Sequence, residues 1–150
     1  MSEFFELLAW VGIFAPVALG AIGSVLGCSY AGQAAVGALL DTDSGYGRYI
    51  GLSVLPSTFV IYGIVLMFSL QNVAIAEEAP GLFAIGVLSG ISLLYAASWQ
   101  GRLAASAINT IKEKPSVFGL SITPVAIVEG FGVFVFIFAL VLIGSLSPAS

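Results

Sequence analysis

The sequence predicts an all-α membrane protein of four transmembrane helices, arranged as two duplicated hairpins. Three observations carry that prediction. Only 8% of the 150 residues are charged and 59% are hydrophobic, whereas a soluble domain carries about 25% charged residues. Long charge-poor runs fall at about 4–40, 48–77, 81–113 and 118–146, each longer than the roughly 20 residues that cross a bilayer. Finally, the first half recurs in the second. "SYAGQAAVGA" (Ser29 to Ala38) aligns with "SWQGRLAASA" (Ser98 to Ala107), and "GLSVLP" (Gly51 to Pro56) with "GLSITP" (Gly119 to Pro124). Such internal symmetry points to a repeated architecture.

The first run begins "MSEFFELLAW" and then continues without a charge from Leu7 to Leu40. A secretory signal has a basic start and a short apolar core, so this run reads as a retained helix, with Trp10 as an interfacial anchor. "DTDSGYGR" (Asp41 to Arg48) closes it with a polar, Gly-containing turn. The acidic break "EEAPG" (Glu77 to Gly81) separates the second run from the third, and "KEKPS" (Lys112 to Ser116) the third from the fourth. The expectation is a single membrane domain over 1–150, with hairpin one at about 4–77 and hairpin two at about 81–146.

The four basic residues are Arg48, Arg102, Lys112 and Lys114. All lie in, or lead towards, the first and third turns, so the positive-inside rule places those turns in the cytoplasm. Both termini then lie on the non-cytoplasmic side of a multi-pass protein. The absence of a targeting peptide and the short turns favour a bacterial or archaeal plasma membrane over an organelle. The net charge of −4 is local and says little about partners. No basic patch suits nucleic acid. With no histidine and the one cysteine, Cys28, there is no Cys/His cluster for zinc or haem, and no cofactor is expected. Cys28 reads as a small buried residue.

Small residues repeat every four positions: Gly23, Gly27, Ala31 and Ala35 on the first helix, then Gly86 and Gly90, and Ala97, Gly101 and Ala105, on the third. These stripes let backbones approach closely. They fit either packing within a monomer or a tightly curved ring with helices one and three inside. Their occurrence in both halves favours the ring.

The fourth run, "SITPVAIVEGFGVFVFIFALVLIG", holds one ionisable group, Glu129. A charge at the bilayer centre costs about 2.5–3.5 kcal/mol on insertion scales. Glu129 lies about ten residues, or about 15 Å, into its helix. Burial favours the protonated form of a carboxyl; a bound cation would neutralise it equally. A structural, neutral glutamate is the bland alternative, and a glutamine would fill that role without the desolvation cost. Counted from the Pro115 turn, Gln100 and Glu129 differ in depth by only about 3 Å, so the two can meet across the hairpin. Thr58 lies at a similar distance beyond the first turn, and Pro56 removes a helical hydrogen bond beside it. A carboxylate, an amide, a hydroxyl and freed carbonyls make a hard oxygen site for a proton or a small cation. Arg102, close to Gln100 in depth, is expected to snorkel towards the cytoplasmic face.

These residues resemble the membrane-rotor proteolipid, the c or K subunit, of V-type and archaeal-type rotary ATPases. The segments closest to the family are "LPSTFVIYG" (Leu55 to Gly63), "WQGRLAASAINTIKEKP" (Trp99 to Pro115) and "VEGFGVF" (Val128 to Phe134). The resemblance implies a homo-oligomeric ring in lipid, turning against a stator subunit that carries an arginine. Glu129 would carry protons or, alternatively, sodium. The turns 41–48 and 112–116 would meet the central stalk. No GxxxxGK[ST] loop is present, so ATP chemistry would belong to partner subunits and this chain would be non-catalytic. Sodium-type members resemble this chain at Leu55, Thr58, Gln100 and Glu129, and these four would be the metal ligands if sodium is the ion. Those members add a glutamine directly after the threonine, where this chain has Phe59. Loss of that ligand favours the proton, while Gln100 is typical of the sodium type. Registering Tyr62 against Phe134 puts Ser57 opposite Glu129; the Gly-Leu-Ser register puts Ile61 there. Neither is acidic, so one ion site serves four helices. The rival reading is a small multidrug/proton antiporter using the single membrane glutamate, although such chains place that acid in the first helix.

Overall fold

The computed structural model describes residues 3–149, which are helical throughout apart from short connections and a C-terminal tail. Helix α1 spans Glu3–Asp41. The second span, Tyr46–Leu70, comprises α2 (Tyr46–Val54), a 3₁₀ turn (Leu55–Ser57) and α3 (Thr58–Leu70). Helix α4 spans Ile75–Glu113. The last span comprises a 3₁₀ turn (Pro115–Val117), α5 (Phe118–Ser121) and α6 (Thr123–Ile143). All four spans are long and apolar enough to cross a membrane.

The first and third connections fall where the polar turns predict. Gly45 starts α2 in the left-handed region, φ 82°, a conformation open to glycine at little cost. Pro115 opens the 3₁₀ turn after α4, where its missing N–H is harmless. The second connection departs from the expectation. It lies at 71–74, and "EEAPG" forms part of the opening turns of α4. The helix start explains this: Glu77 and Glu78 face the positive end of the helix dipole, and Pro80 removes one bond close to the terminus. Glu78 Oε1 also accepts hydrogen bonds from Ser147 N–H at 3.1 Å and Ser147 Oγ at 2.9 Å. The tail is thereby strapped across the connection, with Ala74 N–H donating to the Ser147 carbonyl at 2.9 Å.

Helices α1 and α4 form the seam between the two hairpins. A Cβ on Gly86 would collide with the Gly12 backbone, and one on Gly101 with Gly27. These pairs advance together along both helices, so α1 and α4 run parallel with their backbones in contact. Gly23, Gly27, Ala31 and Ala35 are all buried, as are Gly86, Gly90, Ala97 and Gly101. At the end of the second stripe the fully buried residue is Ala104, with Ala105 only half-buried. The second span packs antiparallel on α1, with Gly63 against Pro16 and Phe59 against Gly20. Large apolar side chains such as Phe14, Leu88, Phe131 and Phe138 remain exposed. That suits a surface whose solvent is hydrocarbon, where burial offers little advantage.

Candidate ion-binding site

Glu129 sits on α6, about one and a half turns beyond Pro124 at the helix start. Its side chain turns inward rather than to the exposed face of Phe131 and Phe134. Three donors from two other helices close on it. Tyr62 O–H donates to Oε1 at 2.6 Å. Gln100 Nε2 donates to Oε2 at 2.6 Å and also lies 3.4 Å from the Val125 carbonyl. Thr58 Oγ1 lies 3.1 Å from both carboxylate oxygens and 3.1 Å from the Leu55 carbonyl. Charge-assisted bonds of this kind are about twice as strong as neutral ones.

The surroundings are apolar. A cleft of about 360 Å³ beside the carboxylate is lined by Leu52, Leu55, Ile122, Val125 and Ala126, together with the three polar residues Thr58, Gln100 and Glu129. A larger cleft, about 570 Å³, lies further along α4 and α6 near Leu88 and Phe138 and carries no titratable group. Gln100 is 1% exposed, and its Oε1 has no hydrogen-bond partner among the described residues. A buried carbonyl oxygen is costly to leave unmatched, so the site has unused capacity for a donor or a cation.

The structure thus brings together Glu129, Gln100, Thr58 and the Leu55 carbonyl, the four residues singled out in the sequence. It adds Tyr62, which sequence reasoning used only to set a register. Its signal was available: Tyr62 is four residues beyond Thr58, and such pairs share one helix face. Phe59 lies elsewhere. It is fully buried, edge-on to the Tyr62 ring and packed against Gly132. Arg102 turns away from the carboxylate. Its guanidinium is 4.9 Å from the Tyr30 ring and 4.8 Å from the Trp99 ring, with Nη2 donating to the Tyr30 hydroxyl oxygen at 3.4 Å. Trp99 is thus a cation–π partner for Arg102. Cys28 is half-buried, not fully so, with its thiol against the backbone of Ser57.

The family profile for the C subunit of ATP synthase matches residues 11–70 and matches again over 83–142. The chain belongs to this ATP synthase C-subunit family. With four helices able to span a bilayer, it is an integral membrane protein of that family. The two matches account for the duplicated hairpins and set the antiporter reading aside. A relative, the A-type ATP synthase subunit K of Methanocaldococcus jannaschii, is 31% identical over 144 residues, covering 89% of this chain. The chain spans 62% of that relative's length. The two family matches are offset by 72 positions at both ends. That offset sets Ser57 opposite Glu129, while the Gly-Leu-Ser register sets Ile61 there, and neither is acidic. Ser57 is exposed, and its hydroxyl donates to the Val54 carbonyl of its own span.

Proposed function

We propose that this chain is an ion-translocating subunit of a rotary A-type or V-type ATPase ring, and that Glu129 carries the ion. Identical copies form the ring in lipid, and a stator subunit with an arginine faces it. The turns 41–48 and 112–116 meet the central stalk on the cytoplasmic side, and both termini lie opposite, in a bacterial or archaeal plasma membrane. Family membership supports the assembly. The observation that carries the site is the carboxylate itself, held by Thr58, Tyr62 and Gln100 beside an apolar cleft.

The ion we assign is the proton. Thr58 has one hydroxyl proton and two uses for it. When Glu129 is ionised, Thr58 donates to the carboxylate. When Glu129 is protonated, the carboxyl can donate to Thr58 Oγ1, which then donates to the Leu55 carbonyl 3.1 Å away. Tyr62 and Gln100 keep their bonds in both states. One proton can therefore enter or leave with no buried group losing its partner. Phe59 fits this reading, since it offers the carboxyl no oxygen.

Sodium is the second reading, and one observation favours it. Gln100 Oε1 is buried and unmatched. Rotating the amide would aim that oxygen at the carboxylate, where a cation could be coordinated by both. With Thr58 Oγ1 and the Leu55 carbonyl, Glu129 and Gln100 would then form the metal site. A hydrophobic carbodiimide, which attacks protonated carboxyls, separates the readings. Selective labelling of Glu129 that fades as pH rises is expected, unchanged by sodium at fixed pH. Protection by sodium would transfer the assignment to that ion. No labelling at any pH would remove the exchangeable site.

A further inference from the structure

The second span is interrupted beside Thr58, and a residue of another helix occupies the interruption. Ser24, on α1, is buried. Its hydroxyl donates to the Pro56 carbonyl at 2.8 Å and accepts from Val60 N–H at 3.2 Å. In an unbroken α-helix these two backbone groups would bond to each other, because residue i pairs with i−4. The Ser24 hydroxyl is thus spliced into the ladder, one of the recognised causes of a helix bend. The ladder of α3 accordingly begins at Thr58, after the 3₁₀ turn Leu55–Ser57.

All that hairpin one contributes to the carboxylate flanks this splice. The Leu55 carbonyl precedes it, Thr58 lies within it, and Tyr62 follows half a turn later. Removing the hydroxyl would leave a buried N–H and C=O without partners. Their nearest remedy is a direct Val60–Pro56 bond, which rewinds the turn that presents Thr58. We propose that Ser24 is a positioning residue for the ion site: it holds the second span open so that Thr58 and Tyr62 meet Glu129. A buried serine need not do this. Ser89, on α4, simply returns its proton to Gly86 of its own helix at 3.1 Å. The last span also breaks, at Ile122 between α5 and α6, but there the backbone bonds to itself, Ile122 N–H donating to the Phe118 carbonyl at 3.2 Å and Ala126 N–H to the Ile122 carbonyl at 3.0 Å.

The inference rests on Glu129 being the ion carrier, and the test keeps the two apart. The readout is the pH midpoint of carbodiimide labelling at Glu129 in the purified full chain. Tyr62 is the titratable group in contact with that carboxylate. Of the neighbours on α4, Gln100 is uncharged and Arg102 faces Tyr30 and Trp99; on α1, Cys28 faces Ser57. Donors stabilise the ionised carboxylate, so misplacing them makes protonation easier. Ser24→Ala should raise the midpoint by about 0.5–1 unit, a roughly three- to tenfold change in proton affinity. Ser24→Thr, which keeps the hydroxyl, should restore it, and the matched control Ser89→Ala should leave it in place. If Ser24→Ala yields no folded protein, Ser24→Cys, with its weaker donor, should shift the midpoint in the same direction. A midpoint unmoved in the folded Ser24 variant, or moved equally by Ser89→Ala, overturns the assignment. Absence of pH-dependent labelling in the unaltered chain would instead sink the carrier reading, and this one with it.

Discussion

The two hairpins share one plan and differ in where they keep their polar groups. Hairpin one spends its hydroxyls on itself and on its neighbour: Ser24 braces the break at Pro56, Ser57 bonds within its helix, and Thr58 and Tyr62 reach across. Hairpin two supplies the acid and its amide, Glu129 and Gln100. Opposite Glu129, hairpin one has Ser57 or Ile61 according to the register, and so no matching carboxylate within the span. The duplicated unit has become a division of labour, one half offering donors and the other the charge.

The sharpest way to break this comparison is a paired substitution. Glu129→Gln should abolish ion transport in reconstituted membranes while the protein still assembles, whereas Ser57→Ala, at the opposite position, should transport normally. Retained transport in the first variant would end the assignment of roles. Next comes the seam. Gly101→Leu places side-chain atoms inside the Gly27 backbone, so loss of folded protein on size-exclusion chromatography is expected. Gly119→Ala meets nothing within 4 Å and should be silent in the same assay.

A smaller effect is expected where hairpin one only lends a proton. Tyr62→Phe keeps the ring stacked on Phe136, 5.1 Å between centroids, but removes one donor to Glu129. Because that donor favours the ionised form, carbodiimide labelling should persist to higher pH, its midpoint rising by about one unit. A lowered midpoint would mean that Tyr62 accepts rather than donates. The smallest effect belongs to Asp41, whose carboxylate meets Lys112 Nζ at 2.9 Å, an exposed link between α1 and α4. Asp41→Asn should leave the melting temperature unchanged within error, since exposed ion pairs contribute little. A clear drop would show that this end of the seam depends on charge.

Most of the fold was legible because hydrocarbon imposes a simple demand: long runs without charge. The first and third turns carry both breakers and charges and stand where the sequence places them. The second was misplaced because "EEAPG" contains the same residues that favour a helix start, and a linear reading cannot tell a break from a beginning. The meeting of Glu129, Gln100 and Thr58 was legible from depth counting, since rise per residue converts sequence distance into height. Tyr62 and Ser24 were not, for different reasons. Tyr62 needs the direction of a helix face as well as its height. Ser24 acts through a hydrogen bond between non-adjacent segments, and nothing in the residues around it announces a gap thirty positions away. The aromatic clamp on Arg102 is of the same kind, assembled only when α1 and α4 lie side by side.

The glycine contacts along α1 and α4 have a mechanical consequence. Thr58 and Tyr62 belong to one side of that junction and Glu129 to the other, so their spacing is only as constant as the junction is stiff. Two backbones that already touch cannot approach further. A sideways push on the exposed edge of the chain would therefore displace both halves together, and the bonds around the carboxyl would keep their lengths while the whole body moves.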